Sequence, residues 1–311
     1  MTGFIRTIGG DLPASLAGVT YSHEHLIIDT ALVADTMPHI HLHSVDEATR
    51  EVQTCIAGGV RTMVDAMPAA SGRDPERLSR ISIYTGMRIV AATGLHTDKY
   101  YGDVDWTRSE SPEALAARFI ADIDDGIDLY DYRGETVERS MFKAGIVKVA
   151  ALTEDLSDRD RRLFEAGAIT ASATGVPVLT HTEAGLGGMH QIEFLAGLGM
   201  PLDRVALSHT DKVDDVAYHR DMLETGALLC YDQGIRDPDR TFTLVESMVA
   251  EDFASQLILG TDGARRSLWA TLGGSPGLAA LFTVARNRFD SGVVEQLFVA
   301  NPARWLTLAD R

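Results

Sequence analysis

The stretch GVTYSHEHL, residues 18–26, decides the fold, because a short apolar run ends there in two histidines. Successive side chains of a β-strand point to opposite faces. His23 and His25 are therefore expected to share one face, with Glu24 on the other. The pattern predicts a strand that presents a pair of metal-binding imidazoles where it ends.

Four other apolar runs of strand length carry a residue of metal-binding type at or near their ends. They are GIVKVA with Lys148, VPVLTH with His181, RVALSH with His209, and LILGTD with Asp262. Enzymes with a (β/α)8 barrel keep their chemistry at the carboxyl ends of the strands. Four histidines and one aspartate exceed the three protein ligands of a usual catalytic zinc. The set therefore predicts two metal ions, although imidazole and carboxylate do not choose among zinc, manganese, iron and cobalt.

Strands and helices alternate along the rest of the chain. Further strands are RTMVDAM at 61–67, RIVAAT at 88–93 and ALLCYD at 227–232, after a hairpin in FIRTIGGDLPASLAGVTYSHEH. Helices are expected to begin at the capping residues Ser44, Ser111 and Ser157, and to end at Gly58–Gly59 and Gly175. This alternation predicts a parallel sheet, and eight strands predict an α/β (β/α)8 TIM barrel in a single domain of residues 1–311.

Three long loops are expected on the same face as the metal residues, at 94–144, 232–247 and 263–277. The last, GARRSLWATLGGSPG, has the composition of a mobile, ligand-facing lid, and a plain surface loop is the alternative. The tract HIHLH, residues 39–43, lies in a loop after the first barrel strand, where it either contacts substrate or lies on the surface.

Composition narrows the class of protein. The chain has 311 residues and a formal net charge of −17, which argues against nucleic-acid or anionic membrane partners. No apolar stretch approaches the ~20 residues of a membrane span, and the first residues lack a signal-peptide pattern. The two cysteines do not indicate a disulfide framework. G-x-G-x-x-G and P-loop motifs are absent from the sequence, so nicotinamide and nucleotide cofactors are not expected. A cytoplasmic enzyme is expected.

The sequence resembles the phosphotriesterase family of the amidohydrolase superfamily over essentially its whole length. GVTYSHEHL, GIVKVA, LTHTEAGLGG, LSHTD, LGTD and NPARWL occur in the family's order. The resemblance implies a binuclear centre, and relatives suggest a homodimer. The implied ligands are, for the more buried metal, His23, His25 and Asp262, and, for the more exposed one, His181 and His209.

The resemblance also implies that Lys148 is carboxylated on its amine and bridges both metals. Lys148 lies between Val147 and Val149 in an apolar strand. Burial beside two dications would favour the neutral amine, which can react with carbon dioxide. Lys143 is the rival candidate, but it precedes the strand and is expected to be solvated.

The activity implied by the resemblance is hydrolysis of an ester or lactone by a hydroxide that bridges the metals. DGARRSLW and GGSPGL resemble the branch that opens sugar lactones, including phosphorylated ones. In that branch an arginine three residues past the metal-bound aspartate grips the phosphate, which corresponds to Arg265. Arg236 is the nearest match for a basic group after the seventh strand, and Tyr100 is a further candidate for substrate binding. The branch often carries a tyrosine where this chain has Leu268.

Two acids are candidates for proton transfer. Asp262 lies beside the nucleophile and is expected to accept its proton. Asp211, just after the fourth histidine, matches the family's relay acid, followed here by Lys212 where some relatives have a second acid. The alternative activities are a phosphotriesterase or other ester hydrolase, and a metal-binding or ligand-binding homologue without catalysis.

Overall fold

The computed structural model describes residues 3–309, in which a barrel of parallel strands follows a short hairpin. The hairpin pairs β1 (Phe4–Thr7) with β2 (Gly10–Pro13). The barrel strands are β3 Thr20–Glu24, β4 Thr62–Asp65, β5 Arg88–Gly94, β6 Ala144–Ala150, β7 Val178–His181, β8 Val205–Ser208, β9 Leu228–Tyr231 and β10 Leu257–Leu259. Each barrel strand lies beside the next one in the chain, from β3 to β10.

Backbone hydrogen bonds connect the last barrel strand to the first. The amides of Thr261 and Asp262, just after β10, donate to the carbonyl of His23 at 3.2 and 2.9 Å. Gly260 permits this approach, because a Cβ there would lie 2.6 Å from both the nitrogen and the oxygen of His23. The closure confirms the predicted (β/α)8 barrel and places His23 beside Asp262.

Helices fill the connections between strands. They are α1 Ala31–Thr36, α2 Val45–Gly58, α3 Pro75–Thr85, α4 Trp106–Ser109, α5 Pro112–Asp124, α6 Asp158–Thr174, α7 Gly188–Gly197, α8 Val216–Glu224, α9 Pro238–Ala250, α10 Ala280–Arg288, α11 Ser291–Glu295 and α12 Asn301–Leu306. The side chains of Ser44, Ser111 and Ser157 accept hydrogen bonds from the backbone amide three residues later, as the sequence predicts. Gly59 and Gly175 end α2 and α6 in the left-handed conformation.

Apolar side chains pack on both faces of the strands. The barrel interior is filled by residues such as Val64, Val90, Ile146 and Ile258. The outer faces of the strands pack under the helices. Burial on both faces explains why the strands read as continuous apolar runs. No helix between residues 3 and 309 is both long and apolar enough to cross a membrane.

The prediction of a long loop at 232–247 is wrong, because α9 begins at Pro238. The Asp237 carboxylate accepts a hydrogen bond from the Arg240 amide, and Pro238 takes the first helical position. Asp-Pro is a sequence signal for a helix start, and it places only residues 232–237 above the barrel. In 94–144, by contrast, α4 and α5 are followed by an irregular segment from 125 to 143.

Buried side-chain hydrogen bonds fix the loop 263–277 in place. The indole of Trp269 is buried and donates to the carbonyl of Gly263 at 2.7 Å. Buried Glu51 of α2 accepts from the backbone amide and hydroxyl of Thr271 and from the amide of Leu278, at 2.8–3.0 Å. These contacts fix both limbs of the loop and oppose the expected mobility.

Candidate metal centre

A cavity of about 210 Å³ opens at the carboxyl ends of the barrel strands. Five of the six residues predicted to bind metal line it: His23, His25, His181, His209 and Asp262. The sixth, Lys148, is fully buried on β6. The closure of the barrel therefore brings together side chains that lie up to 239 positions apart in the chain.

His23, His25 and Asp262 form one side of the centre. The Nε2 atoms of His23 and His25 lie 3.9 and 3.3 Å from Oδ1 of Asp262. Nδ1 of His25 is buried and has no hydrogen-bond partner among residues 3–309. Glu24 points away from the cavity, as strand alternation predicts, and its carboxylate accepts from Thr261. Burial raises the pKa of Glu24 to about 8.

His181 and His209 form the other side. Nδ1 of His181 lies 2.9 Å from Nε2 of His209, and Nε2 of His181 contacts a carboxylate oxygen of Glu183 at 3.1 Å. Burial, together with neighbouring His209, lowers the pKa of His181 to about 3. Burial likewise lowers the pKa of His23 well below its ordinary value. Neutral imidazole is the form that binds a metal, so these histidines are chemically ready as ligands.

Two of these residues have a strained backbone. His209 follows β8 with φ 69°, and Asp262 follows β10 with φ 44°. The left-handed conformation costs a residue with a side chain about 1–2 kcal/mol. Such strain is typical of functional sites, where the surrounding structure imposes the conformation.

Lys148 reaches between the strands that carry His181 and His209. Its Nζ lies 3.2 Å from Oγ of Ser208 and 3.4 Å from the carbonyl of Thr180. Burial lowers the pKa of the Lys148 amine to about 8. Gly94 makes room for this strand, because a Cβ there would lie 1.9 Å from the Lys148 carbonyl oxygen. The rival Lys143 lies at the opposite end of β6, where it donates to the carbonyl of Asp124.

Two residues at the centre, Asp232 and His96, were not among the predicted site residues. Asp232, just after β9, is fully buried, and its carboxylate contacts Nδ1 of His23 at 2.9 Å and Nδ1 of His209 at 2.8 Å. Burial alone would raise the pKa of Asp232, but these two imidazoles hold it well below its usual range. His96, just after β5, lines the cavity with its ring 4.9 Å from that of His181. Both residues follow a barrel strand, as the predicted ligand His209 does.

The predicted substrate residues differ in their surroundings. Arg265 is exposed at the cavity, and its guanidinium makes no hydrogen bond or ion pair with the described part of the chain. Tyr100 lines the cavity with its ring 4.3 Å from that of His96. The Arg236 guanidinium is already engaged, because it donates to the carbonyls of Thr261, Asp232 and Asp262.

Arg236 also pairs with the carboxylate of Asp262 at 3.2 Å. Burial alone would raise the pKa of Asp262, but Arg236 and the neighbouring histidines hold it well below its usual range. Asp211, the predicted relay acid, does not line the cavity. It is fully buried, and one carboxylate oxygen accepts from the Gln233 amide and the Thr241 hydroxyl, both at 2.8 Å.

Among the charged side chains that line the cavity, basic ones outnumber acidic ones and form a basic wall. Lys99, Lys212, Arg236 and Arg265 line it, against two acidic residues, Glu183 and Asp262. This balance is opposite to that of the whole chain, whose formal net charge is −17. Of the tract HIHLH, His39 lines the cavity, whereas His41 pairs with Asp29 at 2.7 Å.

The donor set fits divalent cations. The ligand atoms of His23, His209 and Asp262 lie within 4.8 Å of one another. Neutral imidazoles and a carboxylate that stays ionised are the ligands that zinc and similar metals take. His181, His25 and buried Lys148 supply further donors around this group.

Known proteins resemble this chain in both sequence and structure. A model of the phosphotriesterase family matches residues 4–306. The phospho-furanose lactonase of Mycoplasmopsis agalactiae is 31% identical over 252 residues, which make up 80% of this chain and 70% of that protein. An amidohydrolase from Mycoplasma synoviae superposes with a TM-score of 0.93 at 26% identity, covering 100% of this chain and 93% of that one. A lactonase from Listeria monocytogenes superposes with a TM-score of 0.88 at 25% identity, covering 99% and 100%.

Proposed function

The chain belongs to the phosphotriesterase family, and we propose that it is a lactonase that opens a sugar-type lactone bearing an anionic group such as phosphate. The family consists of binuclear metal hydrolases, and membership makes the protein a hydrolase of ester bonds. The observation that carries the proposal is a cavity in which imidazoles and one carboxylate converge beside a basic wall. The lactonases among the relatives support the same choice of substrate.

The proposed centre holds two divalent ions, of which zinc is the first choice and manganese, cobalt or iron are alternatives. One ion is assigned to His23, His25 and Asp262, and the other to His181 and His209. Lys148 is proposed to bridge them as a carbamate. Its burial and its amine between Thr180 and Ser208, each next to a proposed ligand, support this role.

When bound, the ions would supply activation of water and polarisation of the lactone carbonyl. Asp262 is proposed to accept a proton from the attacking water and to deliver it to the leaving alcohol. Arg236 holds both the carbonyl and the carboxylate of Asp262, which suits a positioning role better than phosphate binding. Asp211 is proposed to act through the segment after β9, whose Gln233 amide it binds, since its carboxylate lies outside the cavity.

The basic wall favours an anionic substrate. An excess of basic side chains in a cleft concentrates anions there, even when the protein as a whole is acidic. Arg265 is the proposed anchor, because its guanidinium makes no hydrogen bond or ion pair with residues 3–309. A guanidinium can bind phosphate or carboxylate in a bidentate manner. The Tyr100 hydroxyl is a second proposed contact. A single domain over 1–311, a cytoplasmic location and a homodimer remain predictions from the sequence.

The test uses the purified protein loaded separately with zinc, manganese or cobalt, with bound metal measured by mass spectrometry. Substrates are pairs of sugar lactones that differ only in a phosphate, together with an uncharged lactone and an organophosphate triester. We expect the phosphorylated lactones to give the highest kcat/KM. A higher kcat/KM for the triester would favour the phosphotriesterase alternative, and full metal loading without any hydrolysis would favour a non-catalytic homologue.

A further inference from the structure

The carboxylate of Asp232 touches one proposed ligand of each metal position. We propose that Asp232 is a positioning residue that couples the two positions, because it fixes His23 for one and His209 for the other. The inference rests on the metal assignment proposed above. Asp232 follows β9 and comes from neither of the strands that carry these histidines.

The two oxygens of Asp232 have separate partners. Oδ2 contacts Nδ1 of His23 at 2.9 Å, and Oδ1 contacts Nδ1 of His209 at 2.8 Å. The backbone amide of His209 and the side-chain amide of Gln233 also donate to the carboxylate, at 3.2 and 2.7 Å. All of these contacts are shielded from solvent, since Asp232 is 0% exposed. A buried carboxylate in four such contacts has one defined orientation.

This arrangement sets the tautomer of both histidines. A carboxylate only accepts hydrogen bonds, so each imidazole carries its proton on Nδ1 and keeps a lone pair on Nε2. These Nε2 atoms face the centre, that of His23 3.9 Å from Asp262 and that of His209 2.9 Å from His181. One carboxylate therefore prepares a donor atom on each side of the centre.

Glu183 offers a matched comparison within the same centre. Its carboxylate contacts a single proposed ligand, at Nε2 of His181, 3.1 Å away. The Glu183 side chain is 43% exposed, so water can replace part of the hydrogen bonding that its carboxylate gives to His181. Loss of the Glu183 carboxylate should therefore affect one metal position weakly, whereas loss of the Asp232 carboxylate should affect both positions.

Asp232→Asn is the sharper variant, because asparagine keeps the shape but has only one acceptor oxygen. The amide oxygen can serve either His23 or His209, and the amide nitrogen must then face the other imidazole. That imidazole is forced to accept at Nδ1 and to carry its proton on Nε2, where it can no longer bind a metal. Asp232→Ala removes both acceptors and should disturb both histidines.

The experiment titrates metal-free wild type, Asp232→Asn, Asp232→Ala and Glu183→Gln with Zn²⁺ by calorimetry, without substrate. Wild type should bind two equivalents. Asp232→Asn should weaken at least one equivalent, and Asp232→Ala both, by about 10–100-fold, as for other residues that orient metal ligands. Glu183→Gln should weaken at most one equivalent, by a smaller factor. Thermal melts monitor folding, and the isosteric asparagine variant keeps the test decisive if the alanine variant does not fold.

Nitrogen-15 NMR of histidine-labelled, metal-free protein reads the tautomers directly. Wild type should show His23 and His209 protonated at Nδ1, and Asp232→Asn should move one of them to Nε2. Two tight equivalents and unchanged tautomers in Asp232→Asn would overturn the inference. A wild type that does not bind two metal ions would instead overturn the proposed function on which the inference rests.

Discussion

Replacement of Arg265 by alanine isolates the anionic part of the proposed substrate. The guanidinium lines the cavity and makes no hydrogen bond or ion pair with residues 3–309, so its removal leaves no internal partner unsatisfied. What is lost is a charge-assisted hydrogen bond to the substrate, about 1.5–3 kcal/mol. At 1.4 kcal/mol for each factor of ten, kcat/KM for a phosphorylated lactone should fall about 10–150-fold. The exposure of Arg265 favours the lower half of that range.

The matched control is Arg266→Ala, which removes the same charge one residue away. Arg266 contacts the His41 carbonyl at 3.2 Å and Glu47 at 3.4 Å, and it does not line the cavity. Loss of long-range attraction for an anion should be similar in both variants and should shrink with added salt. The difference between the variants therefore measures the direct contact.

The assay is kcat/KM on two lactones that differ only in the phosphate, at matched metal content. Arg265→Ala should lower the value for the phosphorylated lactone and leave the other within about threefold, a change typical of a surface charge. Equal losses on both lactones would mean that Arg265 acts on the lactone ring or on the loop. An unchanged kcat/KM for the phosphorylated lactone would refute Arg265 as the anchor of the phosphate. Lys99 and Lys212, which line the same cavity, would then be the remaining basic candidates.

Three further outcomes test other parts of the proposal. Lys148→Met should lose most bound metal and activity, because methionine cannot form a carbamate. Short carboxylic acids should partly restore turnover to Lys148→Ala. Wild-type metal content and rate in the methionine variant would contradict the proposed bridge. Asp262→Asn should lower kcat by about 100–10,000-fold and remove the acidic limb of the pH–rate profile, since the amide cannot accept a proton; a wild-type kcat at full metal occupancy would identify another base. Glu51→Ala should lower the free energy of unfolding by about 3 kcal/mol in denaturant, because three donors lose their buried carboxylate acceptor. A loss below about 0.5 kcal/mol, the usual effect of a surface substitution, would show that the loop 263–277 does not depend on Glu51.

The local pattern of the chain was enough to predict the barrel and the residues that converge at its mouth. An apolar run that ends in histidine, lysine or aspartate predicts where a strand ends and which polar side chain lies at that end. Capping residues such as Ser44 and Ser157 act through backbone groups three residues away, so their role is visible in the sequence. The same signals occur at Asp237-Pro238, where α9 begins, and at His96, which follows β5.

The tertiary structure decided which partners these side chains have. Asp232 lies between His23 and His209, which are 186 positions apart in the chain, and only the closed barrel brings the three together. Arg236 and Arg265 both lie in loops after barrel strands, but the folded chain gives them different surroundings. Arg236 is held by backbone carbonyls and by Asp262, whereas Arg265 is exposed and makes no side-chain hydrogen bond within the described residues 3–309. Sequence alone therefore determined the kinds of candidate ligand and the end of the barrel where they lie, because strand length and alternation are local properties. The pairing, orientation and protonation of those ligands depend on distances between strands, which only the folded chain defines.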